Sequence, residues 1–140
     1  MTREKVSEER EQRIREAFAH VPYASLLGIE IGAIERGEAT LHMEVCEQLL
    51  QNRGVLHGGV TASLIDTASA FAILTLLDAG ESTTTVDLTV HYLRPVTEGR
   101  ITARARVLRA GRRMITVSVD VTDDAKALIA TALTAYLRLA

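Results

Sequence analysis

The sequence predicts an α+β domain in which one long apolar helix is wrapped by an antiparallel sheet of five or six strands, with a short helix in front. Three observations carry that reading. From Asn52 to Leu77, in NRGVLHGGVTASLIDTASAFAILTLL, the chain is almost wholly small or apolar after its two glycines, with a single carboxylate, Asp66, in the middle. A helix apolar on every side is normally buried. The C-terminal half alternates apolar and polar residues over four consecutive segments, the period of strands in an antiparallel sheet with one covered face. The sheet therefore needs a cover and the helix needs hiding, and curling the sheet around the helix satisfies both.

The elements follow in order. Residues 7–20 are predicted helical: Ser7 can cap the N-terminus, Glu8 and Glu9 suit the first turn, and Ile14, Ala17, Phe18 and Val21 form one apolar stripe. Pro22 is expected to close this helix. Two short strands, GIEIGAIER and EATLHMEV, flank Gly37 as a turn point. Residues 46–56 read as a loop, and the long helix is expected from His57 to Leu77. In STTTVDLTVHYLRPV, alternation puts Val86, Leu88, Val90 and Tyr92 on one face and Thr85, Asp87, Thr89 and His91 on the other. GRITARARVLRA sets Ile101, Ala103, Ala105 and Val107 against Arg100, Thr102, Arg104 and Arg106. RMITVSVDV buries Ile115, Val117, Val119 and Val121, and ALIATALTAYLRL is the closing strand. Glu98-Gly99, Gly111 and Asp123-Asp124 supply turns between them. Edge strands are a liability unless paired, so a dimer with a continuous sheet is expected.

Composition bounds the function. At 140 residues the chain fits one domain, and 47% apolar residues suffice for a core. A net charge of −2 gives no whole-chain electrostatic footprint for nucleic acid. The one cysteine, Cys46, allows no internal disulfide and fits a reducing compartment. The charged first twenty residues lack the apolar stretch of a signal peptide, and the Asp, Ser, Thr and Gly residues of the 57–79 window argue against a membrane span. A soluble cytoplasmic protein is expected.

Asp66 is the residue that demands a reason. An unpaired buried charge costs several kcal/mol even after relaxation, and ionisable groups in apolar surroundings cluster at functional sites. The plainer reading is a helix Asp paired with an Arg or holding a loop. Gly58 and Gly59 open the helix, where backbone N–H groups lack internal partners and face the positive end of the dipole. Without Cβ atoms they allow close approach, although two glycines also simply permit a tight turn. His57, alone, is more often structural. Seven arginines fall between Arg94 and Arg113 against one acid, Glu98. Without aromatic platforms that run does not read as a single-strand nucleic-acid binder.

The stretch Gly54 to Ala68, GVLHGGVTASLIDTA, with HGG at the helix start and an acid nine residues after the His, resembles the hotdog-fold acyl-CoA thioesterases, closest in type to the PaaI-like group of phenylacetic acid degradation. The resemblance covers about residues 20–140. It implies an N-terminal helical extension over 1–20 and a hotdog thioesterase domain over 21–140. It implies hydrolysis of acyl-CoA thioesters, with Asp66 as nucleophile or general base and the Gly58 N–H polarising the thioester carbonyl. It sets His57 beside the leaving thiolate and makes Gln51 or Asn52 the orienting amide. Thr85 becomes a helper hydroxyl. Arg94, Arg112 and Arg113 become neighbours of the coenzyme A phosphates, and Ala62, Leu64, Ser69 and Ala70 candidates for the acyl pocket. No cofactor or metal is expected, since coenzyme A is part of the substrate and the histidines show no ligand spacing. In such a homodimer the acid of one subunit works with the Gln/Asn–His–Gly loop of the other. Doubling it into a tetramer is the larger assembly the resemblance allows. The alternatives are a dehydratase, whose proline-rich context RGVLHGG lacks, a non-catalytic acyl-CoA binder, and a structural oligomer.

Overall fold

The computed structural model describes residues 4–139; residues 1–3 and 140, at the ends of the two expected ranges, lie outside the described residues. The elements run α1 (Glu8–Ala19), α2 (Pro22–Leu27), β1 (Glu30–Glu35), β2 (Glu38–Glu44), a 3₁₀ turn (Glu47–Leu49), α3 (Gly58–Leu74), β3 (Ser82–Tyr92), β4 (Arg100–Ala110), β5 (Met114–Thr122) and β6 (Leu128–Leu139). The strands form one antiparallel sheet in the order β1-β2-β4-β5-β6-β3, bent around α3. The core lies between helix and sheet. Leu64, Ile65, Ala68 and Ala72 of α3 meet Leu41, Ile101, Val117 and Val119 of the strands, all buried.

Strand alternation holds on β4 and β5: Ile101, Ala103 and Ala105, then Ile115, Val117, Val119 and Val121, are buried on the helix side. β3 departs from it. A bulge between Thr85 and Asp87 leaves Val86 without a partner. One extra residue shifts the phase of everything after it, so the expected grouping of Thr85 with Asp87, Thr89 and His91 does not occur. Thr85 pairs with Tyr136 and Leu88 with Thr134, and both β6 partners are buried on the helix face. Thr85 therefore joins Leu88, Val90 and Tyr92, while Asp87 and His91 stand on the opposite face.

Three helical expectations are also corrected. Ser7 caps α1 as read, its side chain accepting from the Arg10 N–H, but Pro22 does not close that helix. It is the first residue of α2, where its missing N–H is one of the orphans anyway, and Gly28 ends α2 at φ 74° in a left-handed cap. α3 stops three residues before Leu77. Its end is satisfied from α1: the Arg10 guanidinium donates to the carbonyls of Thr75 (3.2 Å) and Leu77 (2.6 Å). Ile14 is buried and Phe18 meets Phe71 edge to face with centroids 5.3 Å apart, so α1 packs on the domain. Finally, α3 is not covered all round. Ala62, Ser63, Asp66, Thr67 and Ala70 make a half-buried stripe at i, i+4, i+8 spacing.

Candidate active site

Asp66 sits in mid-α3 and is not unpaired. Its Oδ1 accepts from the Thr85 hydroxyl at 2.8 Å and from the Tyr136 hydroxyl at 2.5 Å. The same Tyr136 oxygen lies 2.9 Å from the Asp66 backbone carbonyl. Oδ2 accepts no hydrogen bond from the described residues. Tyr136 is 2% exposed. Burial first, then the hydrogen bond to Asp66 and its charge, push the phenol well above its ordinary value of 10.0, so it remains a donor at any working pH. The bulge at Val86 is what delivers Thr85 to this oxygen, an instance of a bulge re-aiming a side chain beside a site.

At the start of α3, His57 is the N-cap: its Nδ1 accepts from the Gly59 N–H at 2.9 Å. That use of Nδ1 places the proton of the neutral ring on Nε2. It also removes Gly59 from the set of free donors, leaving the Gly58 N–H without a partner among the described residues. The Gly58 carbonyl accepts from the Tyr92 hydroxyl at 2.5 Å, and burial raises that phenol above 10.0. A cavity of about 330 Å³ opens here, lined by Gln51, Gly58, Thr61, Tyr92 and Arg94 among others.

The loop amides separate. Gln51 is half-buried and lines this cavity, its Oε1 accepting from the Arg53 N–H, whereas Asn52 is exposed and does not line it. Arg94 stands at the cavity, at the N-terminal end of α3. Arg112 and Arg113 lie in the β4–β5 turn at the other end, where Arg113 accepts from the Arg138 N–H and Arg138 pairs with Glu81. The length of α3, about 25 Å for its 17 residues, separates Arg94 from Arg112 and Arg113 within one chain. Ser69 is not a pocket residue. It is fully buried and its Oγ accepts from Thr134 at 3.0 Å; Leu64 is likewise fully buried. Ala62 and Ala70 lie on the half-buried stripe. Sequence reasoning missed Tyr136 and Tyr92 as site residues. Alternation in ALIATALTAYLRL places Tyr136 on the face of Ala130, Ala132 and Thr134, but only the sheet order brings that face to position 66. Among the described residues no group of three or more His, Cys, Asp or Glu could hold a metal, and no helix is long and apolar enough to cross a membrane.

A sequence model of the thioesterase superfamily matches residues 53–130, more than half of the chain, from the His57 cap through α3 to β5 and the first residues of β6. The chain belongs to the thioesterase superfamily. Its likeness to other thioesterase-superfamily proteins extends over nearly all of the fold. It is 30% identical to the medium/long-chain acyl-CoA thioesterase YigI of Escherichia coli strain K12, over 84% of this chain and 86% of that one. The E. coli PaaI protein of the phenylacetic acid degradation operon superposes with a TM-score of 0.88 at 26% identity, covering 97% of each chain. Thioesterase HI1161 of Haemophilus influenzae gives 0.85 at 27% identity, over 99% of this chain and 95% of that one. The wrapped helix and six-stranded sheet are thus the hotdog fold of this superfamily.

Proposed function

We propose that the chain hydrolyses acyl-CoA thioesters to a free acid and coenzyme A, as a dimer in which Asp66 of one subunit faces the Gln51–Gly58 loop of the other. The observation that carries this reading is that one helix holds two groups with no hydrogen-bond partner among the described residues: Oδ2 of Asp66 on its half-buried stripe and the Gly58 N–H at its start. An N–H aimed at a developing oxyanion contributes about 10²–10³ in rate, and an ionised carboxylate supplies the nucleophile or base.

As nucleophile, Asp66 attacks the thioester carbon, the C–S bond breaks to release the coenzyme A thiolate, and water cleaves the resulting mixed anhydride. As base, it takes a proton from water while that water attacks the carbon, and the same bond breaks. Both routes end in acid and thiol. The Nε2–H of His57 is available to the departing sulfur, Gln51 to the carbonyl or water, and Arg94 to the phosphates. The second subunit is supported by β3, an edge strand of 11 residues without Pro or Lys. An edge strand of this length can pair with its own copy.

The test is thiol release from acetyl-, hexanoyl-, decanoyl- and benzoyl-CoA by wild type and Asp66→Asn. Turnover of at least one substrate by wild type and a kcat about 10²–10⁴-fold lower in the variant are expected. Normal turnover in Asp66→Asn sinks the assignment, and binding without turnover by wild type makes the protein an acyl-CoA binder instead.

A further inference from the structure

We propose that Tyr136 is a positioning residue: together with Thr85 it fixes Oδ1 of Asp66, so that Oδ2 is the oxygen that attacks the thioester or takes the proton from water. The inference rests on the hydrolytic reading above and adds to it which oxygen reacts and what selects it.

The terminal torsion of an aspartate is broad and roughly two-fold, so the two oxygens of a free side chain exchange readily. Here they are made unequal. Thr85 and Tyr136 are direct partners across β3 and β6, and both hydroxyls converge on Oδ1, at 2.8 and 2.5 Å. A half-turn merely exchanges two chemically equivalent oxygens, so whichever oxygen sits between the two hydroxyls the other is left free, and the hydroxyl pair fixes the plane in which that free oxygen lies. Hydrogen bonds to a charged acceptor are among the stronger ones in proteins. Tyr136 also reaches the Asp66 backbone carbonyl at 2.9 Å, so its hydroxyl is referenced to the helix itself and not only to a rotatable carboxylate. Two residues earlier on the same face of β6, Thr134 donates to Ser69 on the next turn of α3, both fully buried. β6 is thereby tied to α3 at two successive inward positions, which leaves the Tyr136 ring little freedom to follow a moving carboxylate. Oδ2, with no partner among the described residues, is the lone pair left for chemistry.

The experiment compares wild type, Tyr136→Phe, Thr85→Val and Asp66→Asn with hexanoyl-CoA and benzoyl-CoA, measuring kcat, KM, the pH dependence of kcat, and thermal unfolding. Tyr136→Phe removes one oxygen atom from a ring that stays packed. A carboxylate left to rotate misplaces its reactive oxygen by an ångström or more, so kcat falls about 10- to 100-fold while KM stays within about threefold. Losing a donor to a carboxylate disfavours its charged form, so the acidic limb of the kcat–pH profile moves to higher pH. A residue serving packing alone moves the melting temperature but not that limb. A kcat within about twofold of wild type and an unmoved limb, with Asp66→Asn inactive, overturn the inference and leave the hydrolytic reading standing. Normal turnover in Asp66→Asn overturns both. If Tyr136→Phe does not fold, Thr85→Val, at an exposed position, reads the same oxygen: a moved limb supports the assignment and an unmoved one overturns it.

Discussion

The amide of Gly58 and the carboxylate of Asp66 stand on one helix, eight residues apart. At 1.5 Å per residue they are about 12 Å apart along the axis, roughly four hydrogen-bond lengths. No single thioester carbonyl touches both within a chain. If both act on one substrate, they come from two subunits.

That separation predicts a complementation result. Gly58→Pro deletes the N–H at the first helical position, where proline is tolerated, and His57, at ψ 131°, already has the backbone that precedes proline. An added Cβ comes 3.2 Å from the Tyr92 ring, so Gly58→Ala, which keeps the N–H, is the control. Relative to that control, Gly58→Pro should lower kcat about 10²–10³-fold. Co-expressed at equal levels with Asp66→Asn, it should restore about a quarter of wild-type activity, because half of the random dimers are mixed and each has one intact site. Activity no higher than that of the two parents refutes the shared site.

His57 has a structural duty that can be separated from its chemical one. Its Nδ1 caps α3, and loss of such a cap costs about 0.5–2 kcal/mol. His57→Ala should therefore lower both stability and kcat. His57→Asn offers an alternative capping oxygen, and its unfolding midpoint in urea should lie near that of wild type. If the Nε2–H serves the departing thiolate, kcat still falls in His57→Asn. Full activity in that variant assigns the histidine to capping alone.

Arg10 holds the far end of the same helix. Its guanidinium donates to carbonyls at the exit of α3, where a positive charge also complements the helix dipole. Arg10→Ala should lower unfolding free energy by about 1–3 kcal/mol with kcat per folded molecule unchanged. Unaltered denaturation curves would show that water replaces the guanidinium at no cost.

His42 predicts a pH dependence of stability. Burial first, then the charge of Arg100, hold its ring below 6.5, against a weaker opposing pull from Glu30. The ring nitrogen Nδ1 faces the Thr102 hydroxyl at 2.9 Å. As pH falls through 6.5 the unfolded chain takes up a proton that the folded chain resists, so stability declines from there downward. Between about pH 7.5 and about pH 5.5 the melting temperature of wild type should fall more than that of His42→Gln, which has no proton to accept. Parallel curves for the two proteins would count against this origin.

Much of the fold was legible because local patterns repeat. The inward sets of β4 and β5 and the Ser7 cap could be read directly, since each depends on residues a few positions apart. α2 was overlooked although Pro22 at its start and Gly28 at its end are recognised signals, because six residues are too few to show a period. The bulge at Val86 was invisible: inserting one residue changes phase without changing composition, and an unbroken alternation through Thr85 and Asp87 looked equally regular. The site was half legible. Asp66 stands out as the one carboxylate in an apolar helix, whereas His57 and Gly58 are singled out by the family resemblance and not by residue type. Tyr136 does not stand out, because it lies seventy residues downstream and meets Asp66 only through the order of strands. The same order sends Arg94 and Arg112-Arg113 to opposite ends of α3.

The sheet order also dictates a sequence of events at the ribosome. Among the described residues β3 pairs only with β6, which is synthesised about forty residues later. Domains tend to fold as their chains emerge, yet here a finished β3 must wait, both edges bare, through the making of two further strands. A nascent chain stalled before Leu128 carries the Asp66 helix with no phenol to steady it and a sticky eleven-residue ribbon free to seize another polysome's product.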